Sequence, residues 1–176
     1  MKKILMTIAA LALLVACVNK NGQSTGDQQS AAQTAEDEIK ADVTEYYLTL
    51  NNMAQGEDGL NIDRLDRMFC SDNLLALIDK AAEKSKEATS PEQTFNDEGE
   101  HWLKGLKTPI SVQIDKMIVE DDAAAAMLTL WDDSLTATVV LALSKIDDKW
   151  KIDDFVDGEI HQISLRQNIN AFLEEK

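Results

Sequence analysis

The chain has 176 residues, 44 % of them hydrophobic, with 17 Lys and Arg against 32 Asp and Glu and a formal charge of −15. Acidity on that scale excludes nucleic acid as a partner, and likewise an anionic lipid surface met by the protein's own side chains, since like charges repel. It is otherwise the ordinary means of staying soluble.

Residues 1–16 are laid out as a secretory signal. Lys2 and Lys3 give a positive start, and Ile4 to Val15 form an apolar stretch of about twelve residues, short of the roughly 20 a membrane span needs. The stretch has no polar face apart from Thr7, which argues against an amphipathic helix of the folded domain. It ends in "LVAC", which resembles the lipobox of bacterial lipoproteins. That resemblance implies cleavage before Cys17, a diacylglycerol on its sulfur and a further acyl chain, such as palmitate, on its amine. Each buried methylene contributes about 0.8 kcal/mol and stable anchoring takes about two chains, so Cys17 alone would hold the protein on a membrane. Val18 stands where an aspartate resembles an inner-membrane retention signal, and no acidic cluster follows closely. The expected location is therefore the outer membrane, lipid-anchored and facing the periplasm.

Residues 17–35 are expected to be the lipidated cysteine and a flexible tether, because their Gln, Ser, Gly, Asn and Ala offer no aliphatic periodicity. Residues 36–176 are expected to form a single α+β domain, long enough to bury a core. Ile39, Val43, Tyr47 and Leu50 fall on one helical face. "AQGEDGLN" breaks that helix, and Ile62, Leu65 and Phe69 give a second stripe. Ser71 is placed to cap a third helix that turns Leu74, Leu75, Leu77, Ile78 and Ala81 inward. Residues 89–108, with Pro91, Gly99 and Gly105, read as a long loop.

The period then changes. "ISVQIDKMIVE", "AAAAMLTLW", "LTATVVLALSKI" and "KWKIDDFV" are strand-like runs separated by aspartate turns, which predicts a four-stranded antiparallel meander. Alternation places Leu135, Ala137, Val139, Leu141 and Leu143 on one apolar face. Ala124, Ala126, Leu128 and Leu130 share it on the second strand, Val112, Ile114 and Ile118 on the first, and Trp150 and Ile152 on the fourth. "SLRQNINAFLEEK" predicts a closing helix.

A helical pair containing "MFCSDNLLALI", then hairpins, "KWKIDDFVDG" and a "SLRQNI" helix resembles a family of small Bacteroidetes-type lipoproteins. That family is a domain of unknown function within the nuclear transport factor 2-like, or cystatin-like, superfamily. The resemblance spans roughly residues 39–172. It implies a cone-shaped fold, N-terminal helices packed on a curved four-stranded sheet around a pocket, and it implies no activity.

Chemistry-bearing residues are sparse. On the core-facing parity only Lys116, Lys145 and Asp154 can ionise, and all lie toward strand ends. Asp154 is read first as a solvated strand end and otherwise as the acid or base of a small-pocket enzyme, isomerase-like or hydrolase-like. Tyr47 and Trp102 join Asp154 as ligand-binding candidates, with core filling the simpler role for the two aromatics. Cys70, the cysteine left after lipidation, reads as a small core residue, so no internal disulfide is expected. His101 and His161 are sixty positions apart and give no local metal site. The pairs Asp121–Asp122 and Asp147–Asp148 fall at one end of the meander, where turn chemistry explains them more simply than calcium. No phosphate loop, G-x-S-x-G or C-x-x-C is present. These observations favour a binding or protein-interaction module of the cell envelope over an enzyme, with no catalytic residue, metal or cofactor. An envelope protein or a small apolar ligand is the expected partner, besides the membrane held through Cys17.

Overall fold

A computed structural model describes residues 26–90, 94–95, 97, 99–158 and 164–175, with side chains from residue 33 onward. The signal, Cys17, the first part of the tether and His161 lie outside the described residues. Helix α1 (Gly26–Gln55) is followed by α2 (Ile62–Phe69), α3 (Asp72–Lys86) and the single turn α4 (Glu100–Leu103). Strands β1 (Ser111–Glu120), β2 (Ala123–Trp131), β3 (Thr136–Ile146) and β4 (Lys149–Asp157) come next, and α5 (Leu165–Glu174) closes the chain. The strands pair antiparallel in the order β1-β2-β3-β4, the expected meander. The architecture is α+β.

The helical stripes read from the sequence are the core-facing ones. Ile39, Val43, Tyr47 and Leu50 on α1 and Leu65 on α2 are buried in the core, where α1 packs against the sheet and α2 against α1. Ser71 caps α3 by accepting from Leu74 N at 3.2 Å. Ser164 and Gln167 form a reciprocal capping box at the start of α5, which satisfies two otherwise orphaned backbone donors. Lys84 of α3 donates to the Phe172 and Glu175 carbonyls, each at 2.6 Å, and so closes the other end of α5. Helix α1 begins at Gly26, ten residues before the boundary expected at residue 36. Its Gln- and Ala-rich start is helix-compatible, and among the described side chains the first on α1 to pack on the core is Ala35.

Two β-bulges correct the strand faces. On β1 the register slips between Ile114 and Lys116, so Met117 and Val119, not Ile118, pair with the core-facing Ala126 and Ala124. Ile118 is exposed for that reason. On β4 the register slips after Ile152, so Phe155 takes the core position opposite Leu141 and Asp154 falls opposite Ala142. Strict alternation through "KIDDFV" therefore fails at Asp154, which does not face the core as parity predicts. Leu135 is a third correction. It lies in the β2–β3 turn rather than on β3 and is 56 % exposed.

The turns explain the aspartates. Asp147 and Asp148 both take positive φ (49° and 61°), the backbone of a two-residue primed hairpin turn that Asp tolerates better than most residues. Asp132 accepts from Lys107 N, Ser134 N and Leu135 N, all within 2.7 Å, and these donors hold its carboxyl far below the usual range. It ties the β2–β3 hairpin to the loop before β1. The free edge of β4 is covered, with Ser71 N donating to Ile152 O at 2.7 Å and Ser164 bridging Val156.

Candidate functional site

Residues 89–108, read as a loop, contain α4, and α4 carries the polar centre of the molecule. Gly99 (φ 82°) starts the turn, and Lys104 and Gly105, both left-handed, end it. A Cβ on Gly99 would stand 2.6 Å from Ile62 Cδ1, so glycine is required there by space as well as by φ. The single turn aims His101 and Trp102 inward, and both are buried.

His101 lies between two carboxylates. Its Nε2 is 2.9 Å from Asp66 Oδ1, and its Nδ1 bonds Asp97 Oδ2. Asp66 Oδ1 also accepts from Trp102 Nε1 at 2.7 Å and lies 3.8 Å from Cys70 Sγ. Burial alone would lower the His101 pKa. The hydrogen bonds and charges of Asp66 and Asp97 outweigh it and raise the pKa to about 9. Asp97 responds in kind: burial pushes its carboxyl up, and the bond to His101 outweighs that and holds it below the usual range. The imidazole is thus a cation with both N–H groups donating. Burial, then the Asp66 charge, push the Cys70 thiol well up, so it is neutral.

Above this centre is an open cleft of about 500 Å³. Its walls are Asp97, Glu100, His101 and Lys104 on the α4 side, Thr136, Ala137 and Thr138 at the start of β3, Phe155 and Asp157 at the end of β4, and Leu165 and Asn168 of α5. None of the three ligand-binding candidates lines it. Trp102 and Tyr47 lie in the aromatic core with Phe69, Tyr46 and Phe155. Asp154, expected to be a solvated strand end, is only 6 % exposed and sits at the start of α5. Its Oδ1 accepts from Phe155 N at 2.9 Å and from Arg166 N at 3.1 Å. Burial raises its pKa against these bonds. Asp154 thus accepts from the first turn of α5, beside the Ser164 cap.

Two predictions follow from these placements. Asp154→Ala strips two backbone donors of their acceptor and is expected to cost about 1–3 kcal/mol, whereas Asp154→Asn keeps the carbonyl oxygen and costs less. Because the folded pKa is raised, the carboxyl destabilises as pH rises through it, so Asp154→Asn also removes part of the stability gained on mild acidification. Urea midpoints at pH 4 and pH 7 measure both. The tyrosine pair gives the second prediction. Tyr46 donates to Trp150 O, while among the described residues the buried Tyr47 hydroxyl has no partner. Tyr46→Phe should lose about 1–3 kcal/mol by orphaning a carbonyl, and Tyr47→Phe should be neutral or stabilising by about 1 kcal/mol. Equal losses in thermal denaturation would contradict this.

Sequence reasoning missed the Asp66–His101–Asp97 centre, although signals were present. Asp66 sits on the stripe of Ile62, Leu65 and Phe69, a carboxylate at a core-facing position, and Asp97 precedes His101 by one helical turn. Among the described residues, no three His, Cys, Asp or Glu side chains gather to hold a metal ion, the two aspartate turns included. Nor is any helix there long and apolar enough to cross a membrane. No family model, curated protein or solved structure matches the chain.

Proposed function

We propose that the chain is a lipid-anchored binding or protein-interaction module of the cell envelope, without catalytic activity, carried on the outer membrane by acylated Cys17 and facing the periplasm. The observation that carries the non-catalytic part is the commitment of His101. Among the described cleft residues it is the side chain whose ordinary titration lies nearest neutral pH, and both its nitrogens are bonded to carboxylates. A doubly donating imidazolium has no lone pair with which to take a proton. Asp154, on which the isomerase-like or hydrolase-like alternative rests, is engaged by α5 and outside the cleft. The fold reading carried by "KWKIDDFVDG" and "SLRQNI", nuclear transport factor 2-like, is part of the proposal. A long helix packed on a bulged antiparallel sheet supports it, since bulges bend and twist strands.

The cleft walls mix carboxylates, hydroxyls and an amide with apolar patches. They suit a polar ligand or a peptide segment of an envelope protein better than the small apolar ligand expected from the sequence. Two experiments test the proposal. Fatty-acid labelling should mark the wild type and leave Cys17→Ser unlabelled, and label retained by the variant would sink the anchor. A tagged chain on detergent-solubilised envelopes should retain a partner that Asn168→Trp, which fills the cleft from an exposed position, does not. Equal retention removes the cleft from the reading.

A further inference from the structure

We infer that on the anchored chain the end of the domain bearing the Asp121–Asp122 and Asp147–Asp148 turns faces the bilayer and the cleft opens away from it, so that its ligand arrives from the aqueous compartment and not from the lipid phase. The inference rests on the anchored reading of Cys17, and it adds the direction in which the site points.

The polarity of α1 sets that direction. Its N-terminal half packs against the acidic-turn end, with Glu38 Oε2 bonding Lys145 Nζ at 2.7 Å and Asp42 Oδ2 accepting from Trp150 N at 3.1 Å. Its C-terminal part reaches the other end, where Asn51 exchanges two hydrogen bonds with Ile110 at 2.7 and 2.8 Å. That second end holds the start of β3 and the end of β4, which wall the cleft. The chain from Cys17 therefore enters the fold at the end opposite the cleft.

Lengths decide whether the domain can turn over. Helix α1 has 30 residues and is about 45 Å long. Nine Cα steps separate Cys17 from Gly26 and span at most about 32 Å. Pressing the cleft end to the bilayer would lift Gly26 about 45 Å above it, beyond the reach of that link. Tilting the domain onto its side is within reach. There the net charge, which goes from −15 to −15 − 2 = −17 when Lys2 and Lys3 leave with the signal, opposes contact with anionic headgroups once the surfaces come within a Debye length of about 8 Å. Upright, the nine α1 residues that precede Ala35, the first core contact among the described side chains, span about 13 Å of helix.

The test uses the full acylated chain in vesicles of phosphatidylethanolamine and phosphatidylglycerol. A donor fluorophore is attached at Asp122→Cys or at Asp133→Cys, exposed positions at opposite ends of strands about 30 Å long. Cys70 is buried and does not compete for label. With an acceptor on the headgroups, energy transfer from position 122 should exceed that from position 133 several-fold. Equal transfer, or more from 133, overturns the orientation alone. Mass measurement of the N-terminal peptide separates the two claims, because a Cys17 without acyl chains overturns the anchored reading and this inference with it.

Discussion

A His101→Gln chain is expected to be about 3–5 kcal/mol less stable than the wild type at pH 7, because removing one partner leaves buried carboxylate charge uncompensated. Asp66 is 4 % exposed and has no solvent to turn to. The pH dependence distinguishes this effect from simple loss of packing. In the unfolded chain His101 titrates near 6.5, and in the fold burial opposes, and the two carboxylates more than restore, its charge, up to about 9. The folded state therefore binds the extra proton between those values. Its contribution of about 3 kcal/mol is complete below pH 6.5, declines across the window and is gone once pH passes about 9. Urea denaturation at half-unit steps from pH 6 to 9.5 should show the wild type losing stability across this range and the Gln variant nearly flat until about pH 8.5. Above that the buried Cys70 thiol, whose pKa burial raises, removes stability from both chains alike. Parallel slopes for the two chains would mean that His101 is neutral in the fold.

Leu141→Asp is expected to lose at least about 5 kcal/mol, a large part of the 5–15 kcal/mol that holds an ordinary domain together. Leu141 is fully buried at the centre of the sheet, paired with Ala126 on one side and Phe155 on the other. The substitution removes its packing and adds a carboxylate with no partner. Val140→Asp, one position along, falls on the outer face between Met127 and Val156 and is half-buried. Water reaches that side, so the charge stays hydrated and the loss should be about 1 kcal/mol. Denaturant midpoints rank the two, and a reversed order would place the wrong face of β3 against the helices.

Local chemistry was legible wherever a repeating pattern decided the outcome. Ile39, Val43, Tyr47 and Leu50 announce the buried face of α1 because helical periodicity admits one apolar stripe, and the Ser71 and Ser164 caps follow from hydroxyls just ahead of apolar runs. Val139, Leu141 and Leu143 announce the inner face of β3 because a strand alternates without exception while its ladder is unbroken. Ile118 and Asp154 lie beyond the points where the β1 and β4 ladders slip, and a one-residue slip reverses every side chain after it. Such a slip is selected by the partner strand and by what α5 needs at its start, neither of which adjoins "KIDDFV" in the chain. The centre around His101 belongs to the same class. Asp66 and His101 are 35 positions apart, and only the packing of α2 against α4 makes them one charged group, so its pKa is a property of the tertiary structure. The sequence by itself determined the helical faces, the meander and the acidic character of the chain. Tertiary structure decided the two bulges, the burial of Asp154, the ion pairs of His101 and the end of the domain at which the cleft opens, because each depends on contacts between segments that local periodicity cannot relate.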